Sequence, residues 1–221
     1  MKAIILAAGK GLRMEDLTKK KPKALIEFNG TSLLEQVLNN AIDAGINEFV
    51  IVIGYKGKMI QKKIGSKFKE KKITYVWQQQ QLGTGHAVLQ AKNVSGEKFC
   101  VLNCDVIFDS NDLKTILKKN NFDAVILARE DEKPQNFGVL SVKNEKLLKI
   151  TEKPINPIGN LVNAGVYFFT DYIFEKLKKS KKSKRNEFEI TDAINEIASE
   201  GKASYILAKG KIFDIGKKSD L

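Results

Sequence analysis

Short apolar runs alternate with stretches of helical period over most of the chain. Residues 3–7, 49–53, 73–77, 99–103 and 124–128 are such runs, rich in Val, Ile and Leu and too short for core helices, so they predict strands. Their unbroken apolar character belongs to strands covered on both faces. Between the first two, Leu34, Val37, Leu38, Ala41 and Ile42 recur at helical spacing. Ser32 and Glu35 stand ahead of them as a capping box, and Gly45 supplies a residue at ease in the left-handed conformation that closes a helix. Further helices are expected near 57–64, 84–91 and 111–119. Strand, helix and strand repeated in this way predict an α/β fold with a mostly parallel sheet and helices on both faces.

The pattern changes after Asp131. Residues 138–143 and 147–151 suggest a hairpin, a small antiparallel insertion over the sheet, followed by a strand at 162–169, two helices and short terminal strands. No linker or internal repeat divides the chain, so residues 1–221 are expected to form a single domain. In open α/β sheets ligands bind beyond the carboxyl ends of the strands, which directs attention to the loops that follow them.

Composition narrows the classes. Hydrophobic residues make up 43% and charged residues 29% of the 221, which suits a globular protein. No apolar run approaches the ~20 residues of a membrane span. The start, MKAIILAAG, is too short and too soon interrupted for a signal peptide, so a cytoplasmic protein is expected. Cys100 and Cys104, with a single His, make neither a disulfide framework nor a structural zinc site. The net charge of +12 raises nucleic acid as a partner. Yet Arg13, Arg129 and Arg185 are the only arginines, and the densest basic run, residues 176–185, carries no aromatic for a base to stack on. That run is read as a solvated helix end and loop, and no nucleic-acid or membrane partner is expected.

The first strand leads into Leu6-Ala7-Ala8-Gly9-Lys10-Gly11-Leu12-Arg13-Met14. Glycines let backbone N–H groups approach an anion. Met14 occupies the third glycine's place of a dinucleotide fingerprint, and a P-loop's Gly-Lys-Ser/Thr ending is missing. Arg13 in the loop and Lys23 after Pro22 add two cations suited to a triphosphate. Asp105, at the end of the fourth strand, is placed to hold Mg²⁺ against phosphate oxygens. Asp109 and Asp112 read as helix-start residues, and His86 as structural.

LAAGKGLRM followed by PKAL resembles the signature of the sugar-1-phosphate nucleotidyltransferases, and six segments match in the family's order over nearly the whole chain. The resemblance implies a Rossmann-like fold, residues 1–130 serving the nucleotide and 131–221 the sugar. It implies in-line attack of a sugar-1-phosphate on the α-phosphorus of a nucleoside triphosphate, giving a nucleotide sugar and pyrophosphate. Leu6, Ala8, Gly9 and Gly11 would form the nucleotide loop, Arg13 would hold pyrophosphate, and Lys23 the transferred phosphoryl group. In QQQQLGTGHA, Gln78 aligns with the glutamine that meets a pyrimidine, with Gly83 and Thr84 beside base or ribose; Thr84 is also expected to cap the following helix. FGV, EKP and NAG give Gly138, Glu152 and Asn163 to the sugar and Lys153 to its phosphate. FDIG gives Asp214 as the second Mg²⁺ ligand beside Asp105.

Two departures from the family pattern stand out. Cys104 replaces the usual glycine before Asp105, and Glu15-Asp16-Leu17-Thr18 follows Met14 where many members have proline; those acidic side chains are expected to face solvent. The QLGTGHA run is most like uridylyltransferases, which puts UTP ahead of dTTP. The alternatives are a cytidylyl- or guanylyltransferase, or a regulatory member that binds nucleotide without catalysis; retention of Arg13, Lys23, Asp105, Lys153 and Asp214 favours the enzyme. Several relatives continue into a β-helix with acyltransferase activity, and relatives often self-associate, so a homo-oligomer is an open expectation.

Overall fold

A computed structural model describes every residue except Lys184, and in it the predicted runs form the middle of one ten-stranded sheet. Strand β1 (Lys2–Ala7) is followed by a separate small hairpin of β2 (Glu27–Phe28) and β3 (Thr31–Ser32). Strands β4 (Glu48–Ile53) and β6 (Lys71–Trp77) continue the sheet in parallel from β1, with β5 (Lys67–Phe68) as a short antiparallel edge. On the other side β7 (Lys98–Asn103) lies parallel to β1. Each strand outruns its apolar segment by a residue or two, because ladder bonds continue past the buried stretch.

Beyond β7 the direction changes. Strands β8 (Val106–Ile107) and β9 (Ala124–Glu130) precede the hairpin β10 (Gly138–Lys143) and β11 (Lys146–Glu152). Then β12 (Leu161–Thr170) wedges antiparallel between β7 and β9. Strand β13 (Ala203–Leu207) runs parallel to β9, and β14 (Phe213–Asp214) pairs antiparallel with β8. The order across the main sheet is β10-β11-β13-β9-β12-β7-β1-β4-β6-β5. The expected hairpin is present: β11 joins the far end of the sheet at β13, while β10 turns back to pair antiparallel with β12 at Val139 and Val162.

Helices cover both faces. Two short ones, α1 (Asp16–Lys20) and later α5 (Lys92–Ser95), are peripheral. On one face α2 (Leu33–Asp43), α3 (Gly57–Ile64) and α6 (Ser110–Lys118) bury Leu34, Ile60 and Leu113 in a core that includes Ala3, Ile5 and Ala7 of β1. On the other, α4 (Thr84–Gln90), α7 (Ile173–Lys179) and α8 (Ile190–Ser199) bury Val88, Phe174 and Ile194 in a core that includes Ile4. The alternation along β1 is the pleat, with each large aliphatic side chain contributing about 1.5–3 kcal/mol on burial. The capping box of α2 forms as read: Ser32 Oγ accepts from the Glu35 N–H, and Glu35 Oε2 from the Ser32 N–H, both at 3.3 Å. Among the described residues no helix is long and apolar enough to cross a membrane.

Candidate active site

The carboxyl ends of β1 and β7 meet where the sheet turns from parallel to antiparallel. After β1 the chain exposes Gly9 and Lys10, then bends at Gly11, whose φ of 63° is left-handed. A Cβ at Gly11 would lie 3.0 Å from Lys23 Cβ, so the missing side chain lets the lysine pack beneath the loop. Met14 is fully buried and anchors the turn, while Arg13, Glu15 and Asp16 are exposed, the two acids as expected.

Lys23 is nearly buried and forms an ion pair with Asp105. Asp105 follows β7, and its carbonyl accepts from the Ile215 N–H at 2.9 Å. That bond and the pairing of Asp214 with Val106 bring the second carboxylate alongside. Burial, then the neighbouring Asp105, raise the Asp214 carboxyl to about 6, with Lys23, Arg129 and Arg13 pulling the other way. Arg13 reaches the same spot, since a Cβ on Gly216 would lie 3.4 Å from its Nη1 and 3.6 Å from Asp214 Oδ1. Two carboxylates and two cations thus converge on one corner. The donor set is all oxygen, which suits a hard divalent cation completed by phosphate oxygens. Cys104 turns into the hydrophobic core, where burial raises its thiol to about 12; it is absent from the cleft lining.

Beside this corner opens a cleft of about 220 Å³ lined by Arg13, Asp105, Asp214, Gly138, Glu152, Lys153 and Asn163 among others. A Cβ on Gly138 would approach Glu152 Oε2 to 3.0 Å, so the absence of a side chain there makes room for the carboxylate. Asn163 Oδ1 accepts from the Gly165 N–H at 3.0 Å, and its Nδ2 donates to Tyr167 Oη at 2.8 Å. Lys153 is exposed with φ of 44°, an uncommon conformation outside glycine, and its N–H donates to the Phe137 carbonyl at 2.9 Å. Burial raises the Glu152 carboxyl, and Arg185 and Lys153 oppose the shift.

Of the residues assigned by resemblance to the base, Thr84 lines this cleft, whereas Gln78 and Gly83 stand apart from it. Gln78 is buried, with its amide nitrogen donating at 3.0 Å both to the Gly83 carbonyl and to His86 Nδ1. Leu6, Ala8, Gly9, Gly11 and Lys23, in and beneath the loop after β1, are not part of the cleft lining. Gly83 has φ of 107°, and a Cβ there would lie 2.6 Å from the Phe188 carbonyl oxygen. Thr84 corrects the capping expectation. Gly83 is the N-cap of α4, and the Thr84 hydroxyl instead accepts from the Ile190 N–H at 3.1 Å, capping α8. Asp109 caps α6 as expected, accepting from the Asn111 N–H at 2.7 Å. Asp112 stands in the first turn, but its carboxylate accepts instead from the Lys209 and Gly210 N–H groups of a distant loop at 3.0 Å. A larger hollow of about 610 Å³ is lined by Glu130, Asp131, Glu132 and Pro157 among others; its lining holds no cation for a phosphate.

A family model described as Nucleotidyl transferase matches residues 2–221. The UTP–glucose-1-phosphate uridylyltransferase AglF of Haloferax volcanii is 34% identical, over 100% of this chain and 93% of that protein. The chain belongs to the sugar-1-phosphate nucleotidyltransferase family. The bifunctional protein GlmU of Methanococcus aeolicus is 39% identical over 100% of this chain and 53% of its own length, so the chain spans about half of such relatives. Among solved structures, UDP-glucose pyrophosphorylase complexed with UDP-glucose has a TM-score of 0.91 at 25% identity, covering 99% of this chain and 94% of that one. One described as a glucose-1-phosphate thymidylyltransferase from Bacillus anthracis has a TM-score of 0.92 at 27% identity, covering 100% and 92%.

For this nucleotidyltransferase the cleft also contains residues that sequence reasoning passed over. Arg185 is the chief one. Read as part of a solvated basic run, it reaches over the cleft, its Nη1 lying 3.5 Å from Glu152 and 3.4 Å from Glu189. The neighbouring Asn186 N–H donates to the Ser183 carbonyl at 2.8 Å. Asn103 is the second, held against the bare Cα of Gly165, where a Cβ would lie 2.4 Å from its Nδ2. The available signal for Arg185 was its rarity, one of three arginines among 38 basic residues.

Proposed function

We propose that the protein is a sugar-1-phosphate uridylyltransferase, joining UMP from UTP to a hexose-1-phosphate and releasing pyrophosphate. The observation that carries this reading is the Lys23–Asp105 pair with Asp214 and Arg13 at the mouth of a cleft holding Glu152, Lys153 and Asn163. The uridylyltransferase name of AglF, matched over nearly its full length, supports the choice of UTP. Residues 1–130 serve the nucleotide and 131–221 chiefly the sugar, with Asp214 returning to the phosphate corner.

Asp105 and Asp214 would hold Mg²⁺, which would supply charge neutralisation on the phosphates. Leu6, Ala8, Gly9 and Gly11 offer backbone to the phosphates and ribose, and Gln78, Gly83 and Thr84 orient the base end. Gly138, Glu152 and Asn163 fix the sugar, and Lys153 its phosphate. Poised there, a phosphate oxygen of the sugar-1-phosphate attacks the α-phosphorus. The new P–O bond forms as the bond to the β-phosphate oxygen breaks, and the electron pair leaves with pyrophosphate. Lys23 meets charge on the transferred phosphoryl group and Arg13 charge on the leaving group, so catalysis is positioning and electrostatics.

The test is pyrophosphate release with Mg²⁺, crossing UTP, dTTP, CTP, ATP and GTP against glucose-1-phosphate and N-acetylglucosamine-1-phosphate. Release should require a sugar phosphate and be fastest with UTP. Asp105→Asn, which removes a ligand charge at nearly constant volume, should lower turnover at least about a hundredfold with the fold retained. Nucleotide binding without turnover on any pair in the grid counts against the enzyme reading.

A further inference from the structure

Gln78 has spent both protons of its amide nitrogen inside the protein. One goes to the Gly83 carbonyl and one to His86 Nδ1, each at 3.0 Å. Among the described residues no donor reaches Gln78 Oε1, and that oxygen is not one of the fully buried, unpartnered atoms. To accept from Gln78, His86 Nδ1 must carry the lone pair, which puts the ring proton on Nε2. Nε2 lies 3.1 Å from Gln90 Nε2, which also donates to the His86 carbonyl at 3.3 Å. A ring protonated at Nε2 turns the Gln90 amide to present its oxygen and gives up that longer bond, whereas turning Gln78 instead would give up its 3.0 Å bond to Gly83. Phe188 stands beside the imidazole with ring centroids 6.4 Å apart. Burial keeps His86 below the usual histidine range, so the neutral ring this pattern needs is the form present at neutral pH.

We propose that His86 is a positioning residue for base selection, holding the Gln78 amide so that only its oxygen is offered to the nucleotide. A glutamine amide free to turn by 180° offers donor or acceptor at similar cost, and reads uracil and cytosine alike. A fixed one cannot. Turning Gln78 would set its oxygen against the Gly83 carbonyl and the His86 lone pair, replacing two attractions by two repulsions. An acceptor-only edge suits a base presenting an N3–H, as uracil and thymine do, and opposes cytosine, whose N3 is itself an acceptor. The inference rests on the reading that Gln78 meets the base.

Calorimetric binding of UTP and CTP to the whole protein with Mg²⁺ tests both layers. Wild type should prefer UTP. His86→Leu, which removes the acceptor, should reduce the UTP:CTP affinity ratio about tenfold, mainly by weakening UTP. His86→Asn, whose amide oxygen falls near the position of Nδ1, should recover most of the ratio. His86→Gln reaches toward Gln90 instead and should behave like His86→Leu, which keeps the test usable if the leucine variant does not fold. An unchanged ratio in His86→Leu or His86→Gln, with Gln78→Ala losing it, overturns the role of His86 and leaves the base-side reading standing. Gln78→Ala that keeps the wild-type ratio removes that reading and the inference with it. Wild type that binds CTP as tightly as UTP also overturns the proposal.

Discussion

Asp214 shows how a single residue sets function against stability. Its carboxyl lies in a largely buried corner beside Asp105, and both features favour the neutral form. A carboxyl raised above its unfolded value binds its proton longer in the folded state, so its contribution to stability falls as pH rises from the ordinary value of 3.8 through about 6. Above that window the folded protein carries an ill-matched charge that a metal and phosphates would relieve. Asp214→Asn should therefore raise Tm by about a few degrees near neutral pH and leave it almost unchanged near pH 4, where both side chains are neutral. Calorimetric melts at the two pH values check this. The same variant should lose most Mg²⁺-dependent turnover. A lower Tm near neutral pH would show that the charged Asp214 is already well satisfied by Lys23, Arg13 and Arg129.

Between elements, the joint most exposed to test is that of α8 with β11. Strands β11 and β13 pair only at Lys146 and Ser204, then diverge, which leaves the backbone of Ile150 without a ladder partner on that edge. Asn195 of α8 fills the gap, its Oδ1 accepting from the Ile150 N–H at 2.7 Å and its Nδ2 donating to the Ile150 carbonyl at 2.9 Å. Asn195→Ala should destabilise the protein by about 2 kcal/mol, measured by urea unfolding, because two part-buried backbone groups lose their partners. This joint also marks what was legible beforehand. The five central strands and the α2 cap depend on local pattern, apolar runs and a pair three residues apart, and both could be read. Order along the chain likewise pointed to Lys23, Asp105 and Asp214, which the fold brings together. The clamp of Asn195, the reach of Arg185 and the bond from Ile190 to Thr84 depend on residues far apart in sequence, which no periodicity encodes. The hairpin was visible as a hairpin, but its return onto β12 follows from pairing with distant strands.

Across the whole molecule, the part assigned to the nucleotide and the part assigned to the sugar share a seam. The Phe188 N–H donates to the Leu82 carbonyl and the Gly85 N–H to the Phe188 carbonyl, each at 2.8 Å, and the Thr84 hydroxyl caps α8 at Ile190. The closeness of the two backbones explains why position 83 is glycine, since a Cβ would meet Phe188 itself. Through this seam the loop assigned to the nucleotide fixes the start of α8, and with it Glu189, which lies 3.4 Å from Arg185 in the cleft lining. Thr84→Val separates the two roles, as it keeps the volume and removes only the hydroxyl. Loss of a cap costs about 1 kcal/mol and frees the first turn of the helix. Because Thr84 both lines the cleft and caps α8, the KM for the sugar-1-phosphate should rise about threefold to tenfold, although residue 84 belongs by sequence to the nucleotide side. The KM for UTP should change less. Steady-state kinetics with each substrate varied at saturation of the other distinguishes the cases. A rise confined to UTP would mean that the Thr84 hydroxyl serves the nucleotide directly and that its bond to α8 is incidental.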